Sequence, residues 1–358
     1  MRYLFKTSYR QDMSLWRHTG DLFWYGLLLA ALLLAPLGLD EFYLGELSGL
    51  FVFAIAGVGL MLLAGYTGLV SLGHGAFLGI GAYTNAYFLA HGLPFVLTLP
   101  LSGLMAGLAG VAIGVPTLRM TGLYLAIATL AFGSILEQVF SKWTAVTGGF
   151  DGFAVATPGI LGYQLEGPAD LYYLCLAVLL FSIWIARNVL RSPFGRAMAA
   201  IRDSEISAQS MGINLAYYKT AAFALSAALT GLAGALFGHY VRYLAPDSFG
   251  ILLSIQFITM VVVGGLGSLH GAIFGAIFVR LLPQAIAIMR DELPPSIAQM
   301  PGLEPGLFGL ILVLFIMFEP AGLYGRWLKL KLWFQLFPLY KRATFRRQKS
   351  YTRSERLR

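Results

Sequence analysis

Residues 42–64 read FYLGELSGLFVFAIAGVGLMLLA, and residues 64–75 follow as AGYTGLVSLGHG before a second apolar run opens at Gly75. The first stretch is long enough to cross a hydrocarbon core of about 30 Å, which takes roughly 20 residues of helix. The second is rich in glycine and hydroxyl groups and holds no acid, lysine or arginine. Non-helical backbone at membrane depth survives only against protein or a water-filled cavity. A discontinuous segment of this kind points to a substrate path, with Tyr66, Thr67, Ser71 and His74 as its polar side chains. The competing reading is an ordinary surface turn with glycine caps.

Outward from this stretch the pattern repeats. Spans are drawn at 22–39, 42–64, 75–91, 95–115, 121–140, 170–187, 217–240, 251–266, 269–289 and 304–319. Gly264, Gly265 and Gly267 interrupt the region 251–289, which reads either as two spans or as one broken one. Composition agrees with lipid as the solvent. The chain of 358 residues is 58% hydrophobic and only 12% charged, against about 25% charged for a soluble domain. A two-domain soluble enzyme and a disordered or fibrous chain are excluded. The fold class is an all-α integral membrane protein, a polytopic bundle of about ten transmembrane helices. Pairs such as Gly103 and Gly107, Gly110 and Gly114, Gly234 and Gly238, and the run Gly267, Gly271, Gly275 have the spacing that lets helix backbones approach in lipid.

The net charge of +8 is not spread evenly. Residues 326–358 hold eleven Lys and Arg against Glu355 alone, and the rest of the chain is slightly acidic. No basic soluble domain exists to carry nucleic acid; the tail reads as an anchor on membrane lipids of the cytoplasmic leaflet. Positive residues accumulate in cytoplasmic loops. With the N-terminus inside, Arg119, the cluster Arg187, Arg191, Arg196 and Arg202, and the basic tail all fall inside. Both termini are then cytoplasmic. Three parts follow: 1–21 as an N-terminal segment, 22–325 as the transmembrane domain with an inside loop at 188–216, and 326–358 as the tail.

Catalytic signals are absent. No lysine follows a glycine, so a phosphate-binding P-loop is missing. Gly-x-Ser-x-Gly is missing too. The histidines at 18, 74, 91, 239 and 270 lack metal-ligand spacing, and one cysteine, Cys175, excludes an internal disulfide. No metal, cofactor or catalytic residue is expected. Ionisable groups near spans are Glu137, Arg280 and Glu319, whose positions near span ends suit snorkelling to the interface. Asn85, Gln256 and Gln284 are neutral and suited to bridging helices.

Two loops carry the remaining signal. The outside loop Thr144–Gly152, with Thr147, Gly148 and Gly149, has the glycine content of a gate or docking surface, or of a flexible surface loop. The inside loop Arg191–Asn214 reads as two short helices around a polar break. Ser204 is placed to cap the second helix, Glu205 favours its dipole, and Gly212 suits the left-handed stop. Ile206 and Met211 form one apolar edge. Such an elbow suits insertion into a groove on a partner or a position flat on the membrane. Neither Glu205 nor Gly212 faces the bundle core in this topology.

The elbow, the Gly68–His74 region, Thr147-Gly148-Gly149 and Val263-Gly264-Gly265-Leu266-Gly267-Ser268 together resemble the LivM-type permease subunits of branched-chain amino-acid ABC importers. The resemblance covers about residues 45–320. Its elbow pattern is carried by Gly195, Arg196, Ile201, Arg202, Glu205, Ala208, Gly212, Ile213 and Asn214. Phe150 stands where a smaller residue is expected, and Ser204 where a second acid is frequent. The resemblance implies half of a pore in a bacterial inner membrane, with ATP hydrolysis on separate subunits. It also implies a coupling role for Arg196, Arg202, Asp203, Glu205 and Gly212. The implied partners are a second, LivH-like permease, two LivG/LivF-like ATPase subunits and a periplasmic substrate-binding protein. Related permeases carry urea or short amides, and composition does not choose among these substrates. An ion-coupled secondary transporter is the rival from another class, but it calls for charges deep within the spans, and the mid-span regions hold almost none.

Overall fold

A computed structural model describes residues 19–116, 120, 122–160, 163–165, 167–292 and 302–336. The N-terminal Arg2, Lys6, Arg10 and Arg17, the loop residue Arg119, and the tail beyond Leu336 lie outside these, and the orientation read from their charge stays an expectation. The long helices are α1 (Thr19–Leu34), α2 (Glu41–Leu60, continued by a π-turn Met61–Tyr66), α3 (His74–Ala90), α4 (Phe95–Gly114), α5 (Leu123–Lys142) and α6 (Pro168–Arg191). After them come the short pair α7 (Pro193–Asp203) and α8 (Glu205–Ser210), then α9 (Leu215–Val241), α10 (Ile251–Gly264), α11 (Leu269–Asp291), α12 (Leu303–Phe318) and α13 (Gly322–Leu336). The all-α polytopic architecture is as the sequence predicts.

Helix α2 is the axis of the bundle. It is apolar around its whole circumference, and every residue from Ser48 to Leu63 is buried. Such a helix is suited to lipid or to protein, and its packing against several neighbours is what makes it central. Helix α9 is the second hub, and small residues set how closely it packs. A β-carbon on Gly231 would stand 2.4 Å from Ala106 Cβ and 2.7 Å from Ser102 O of α4. The expected close-packing stripe on α4 is real: Gly103, Gly107, Gly110 and Gly114 all lie against α9.

The region 251–289 is two helices folded back on each other. A β-carbon on Gly264 would meet Gly271 O at 1.9 Å, and one on Gly275 would meet Met260 O at 1.8 Å. These pairings run in opposite senses along the chain, which defines an antiparallel hairpin.

Each of the ten drawn spans coincides with a helix, but not each helix is a full span. Among the described residues, seven helices are long and apolar enough to cross a membrane, or eight if α12 and α13 count as one bent span. Helices α1, α3 and α12 have 16, 17 and 16 residues. Helix α3 is short for a structural reason. His74, its first residue, lies beside Ser226 of α9, which donates to Gly59 O of α2. Ser226 is about three turns, roughly 16 Å, along α9 from Leu215. Helix α3 therefore begins deep in the bundle, and Thr67–Gly73 runs inward to reach it. The end of the bundle holding α7 and α8 is the elbow end. At the opposite, loop end, Phe153–Ala154 pairs antiparallel with Tyr243–Leu244.

Candidate functional site

The break after α2 is a buried joint. The π-turn loosens the helix end, and Gly68 takes φ +75°. Thr67 Oγ donates to Leu62 O (3.0 Å), closing the turn with its own hydroxyl. Three neighbouring helices then staple the inward segment. Leu72 N donates to Thr129 Oγ of α5 (2.9 Å), Gly75 N to Ser254 Oγ of α10 (2.9 Å), and the imidazole of His74 reaches α9. The proton of Ser226 goes to Gly59 O (2.7 Å), so His74 Nε2 donates to Ser226 Oγ (2.8 Å) and Nδ1 accepts from Ser71 Oγ (3.0 Å). Non-helical backbone at depth is satisfied by side chains, as lipid demands. Of the residues expected on a substrate path, Thr67, Ser71 and His74 are wholly buried with protein partners, and Tyr66 is half-buried.

At the loop end, Gly148, Gly149 and Gly152 all have positive φ. Thr147 is buried and donates to Phe140 O (2.6 Å), and Gly149 N donates back to Thr147 Oγ (3.3 Å). Tyr243 OH donates to Asp151 O. The first group thus lies at the inward end of the break, against the middle of α5, and the second at the loop end of α5; the structure does not bring them together. Between those two places, α5 exposes Ser134 and Gln138 on an open groove of about 570 Å³, also lined by Ile135, Val139, Lys142 and Trp143.

The elbow has the expected caps. Ser204 Oγ accepts from Ser207 N (3.3 Å), and Gly212 takes φ +83° with open space around it. Ser192 and Asn214 cap α7 and α9 in the same way. The apolar edge points away from the bundle, with Ile206 84% and Met211 83% exposed.

Glu205 departs from expectation. Its carboxylate holds Lys219 Nζ at 2.7 Å, and Lys219 is only 3% exposed in α9. The elbow is therefore ion-paired to the bundle through a residue that the sequence reading placed facing away. Arg202 makes the second link. Its Nη1 donates to Gly65 O at the end of α2 (3.1 Å), while Nε and Nη2 engage the exposed Asp203. Gly267, in the turn between α10 and α11, completes the cradle: a β-carbon on Gly65 would meet Gly267 N at 2.7 Å. Arg196 is exposed, with Nη1 3.5 Å from Arg191 O.

Two further polar clusters sit within spans. Asn85 bridges helices as expected, to Thr98 (2.9 Å) and His239 (2.8 Å). Arg280 is held by protein partners. It pairs with Glu46 of α2 (3.0 Å), donates to the hydroxyl oxygen of Tyr240 (3.0 Å), and lies over the Phe53 ring. Gln284 also donates to Glu46. The sequence reading missed Glu46 and Lys219. A lone ionisable group in an apolar run is itself the signal that a partner exists.

The profile of the permease component of branched-chain amino acid transport systems matches residues 43–317. The chain belongs to that permease family. It is 36% identical over 300 residues to the high-affinity branched-chain amino acid transport permease protein LivM of Escherichia coli K12, covering 76% of this chain and 67% of that one. A probable branched-chain amino acid transport permease LivM of Methanocaldococcus jannaschii is 23% identical over 235 residues, covering 64% and 67%. The autoinducer 2 import permease LsrC of Escherichia coli O157:H7 is 27% identical over 281 residues, covering 74% and 79%. No solved structure matches the chain. The LivM-like chain is a multi-pass permease subunit of an ABC importer, a family whose members work with ATPase and other ABC components. The secondary-transporter reading is not favoured.

Proposed function

We propose that this permease forms half of the translocation pore for branched-chain amino acids in a bacterial inner membrane. Its counterpart would be a LivH-like permease, with LivG/LivF-like ATPases at the elbow end and a periplasmic binding protein at the loop end. The observation that carries this reading is the elbow. A capped helix pair presents two bare apolar side chains, Ile206 and Met211, to the outside, as a knob for a groove does. Behind the knob, Arg202 grips the carbonyl of Gly65, where the central helix breaks. A push on the elbow is thus delivered to the buried joint. On this reading Ile206, Met211 and Gly212 shape the contact, Arg202 transmits the motion, and Glu205 holds the elbow to Lys219. The joint residues Tyr66, Thr67, Ser71 and His74 set the geometry of the inner gate, and Thr147, Gly148 and Gly149 set that of the outer loop. Ser134 and Gln138 on the open face of α5 are polar groups that lipid does not satisfy, which suits a pore wall.

The test is reconstituted transport and ATPase activity measured in parallel. Ile206→Asp with Met211→Asp is expected to abolish ATPase co-purification. Arg202→Ala is expected to retain assembly and ATPase activity but lose about tenfold in uptake per ATP, the loss of one charge-assisted hydrogen bond. Uptake per ATP unchanged in Arg202→Ala would overturn the transmission role. Glu205→Lys places two cations together at a buried site, so its abundance is expected to fall, by a destabilisation of about 3 kcal/mol. Glu205→Gln with Lys219→Met is expected to restore abundance.

A further inference from the structure

Helix α13 leaves α12 at a bend of 49°. Its first turns pack on the bundle. Gly322 lies against Gly265 in the turn between α10 and α11, Tyr324 stacks on His270, and Trp327 meets Phe274 edge-on. Beyond the bend, Trp327, Leu328, Leu330, Leu332, Trp333 and Phe334 are exposed, interleaved with the exposed Arg326 and Lys329 and the half-buried Lys331. Such a helix suits neither water nor hydrocarbon. The membrane interface provides both, with indole rings at headgroup level and cations on phosphate. Helix α12 has 16 residues, about 24 Å of helix, which is short of a core of about 30 Å. The first turns of α13 therefore complete the crossing, and its later turns, which carry Trp333 and Lys329, reach the interface.

Glu319 sits in the bend, 7% exposed. One of its oxygens accepts from Arg326 Nε (2.7 Å) and the other from Lys329 Nζ (3.2 Å). Both cations are well exposed on their outer side, 64% and 72%. They are held at one edge by a carboxylate and open to a second anion at the other.

We propose that α13 binds the surface of anionic phospholipid, whose phosphates compete with Glu319 for Arg326 and Lys329. A phosphate that draws a cation away leaves the carboxylate in the bend short of counter-charge, and the bend loosens. Gly322 rests on Gly265, and Gly267 two residues further on touches the cradle of Arg202. Lipid charge is thereby felt at the joint that the elbow moves. The sequence beyond the described residues adds Lys341, Arg342, Arg346, Arg347 and Lys349, charge of the same sign. This inference stands independently of what the pore carries.

The experiment uses the complete importer in nanodiscs, with an environment-sensitive dye on Leu330→Cys; Cys175 is buried and does not compete for label. The reading is the phosphatidylglycerol fraction that gives half the dye response in phosphatidylcholine. The wild type is expected to respond to phosphatidylglycerol, less so at high salt. Each of Arg326→Gln, Lys329→Gln and Lys331→Gln is expected to raise that fraction by about fivefold. Glu319→Gln, which removes the competitor, is expected to lower it. Glu319→Asp, keeping the charge, stays near wild type and controls for folding of the bend. An equal response in pure phosphatidylcholine overturns the proposal. So does an unshifted or raised midpoint in Glu319→Gln. A response that disappears when the ATPase subunits are stripped from the importer makes α13 a protein-docking helix instead. An equal response to glycerol phosphate in solution makes it a site for free phosphate.

Discussion

The break at 64–75 and the loop at 144–152 have nearly the same composition, and the protein uses them in opposite ways. Both mix glycine with hydroxyl groups, and both turn the chain through left-handed glycine. In the break, the backbone groups bond to side chains from three other helices, and Ser71 and His74 are fully buried. In the loop, most bonds are local: Thr147 serves its own turn, and Phe150 projects 77% exposed. Glycine therefore marks where backbone departs from helix, and the neighbouring helices decide whether that departure becomes a joint or a surface. A joint built from long-range bonds moves only when its neighbours move. A loop built from short-range bonds rearranges alone.

Substitutions can break or sharpen this contrast. The largest effect is expected at Gly73, where a β-carbon would lie 2.5 Å from Thr129 O. That carbonyl belongs to a helix and cannot retreat, so Gly73→Val is expected to leave no folded permease in the membrane, read by blot after solubilisation. Next is His74→Leu, which keeps the volume but leaves Ser71 and Ser226 short of a partner. A destabilisation of roughly 2–6 kcal/mol is expected, at about 1–3 kcal/mol for each orphaned group, and thermal melting of the purified complex measures it. Gly148→Ala comes third. It meets a positive φ and the carbonyl of Gly152, but the loop can shift as a unit. About 1–2 kcal/mol is expected, together with a weaker ATPase response to loaded binding protein. The smallest effect is at Phe150. Phe150→Ala is expected to change stability by less than about 0.5 kcal/mol, as exposed positions do, while still altering that ATPase response. Equal stability losses in His74→Leu and Phe150→Ala would erase the distinction between joint and loop.

Much of the elbow was legible residue by residue, because caps are local chemistry. Ser204, Gly212 and the Ile206–Met211 edge stand where the sequence puts them. The break was legible as a break, since four glycines between apolar runs cannot continue a helix without cost. Its depth was not legible. Nothing in residues 64–75 says that Ser226, Thr129 and Ser254 will meet them. Arg280 read as a snorkelling cation because its partner, Glu46, lies in a span more than two hundred residues away in the chain, and one-dimensional distance hides an ion pair across helices. Glu205 read as a surface acid although Lys219 is only 14 residues on, because the fold of the elbow back onto α9 is what brings them together.

The sequence alone determined that this chain lives in lipid, is helical throughout its spans, and carries a capped elbow with an apolar edge. Those features follow from hydropathy over helix-length windows and from hydrogen bonds between neighbours in the chain. Tertiary structure decided which helix is central, how far α3 reaches into the bundle, and which charges are paired. In lipid, backbone groups must be satisfied within the protein, and helices associate through close contact rather than through water's rejection of apolar surface. The partners of a buried histidine or lysine are therefore chosen by helix packing, which is settled only when the whole bundle has assembled.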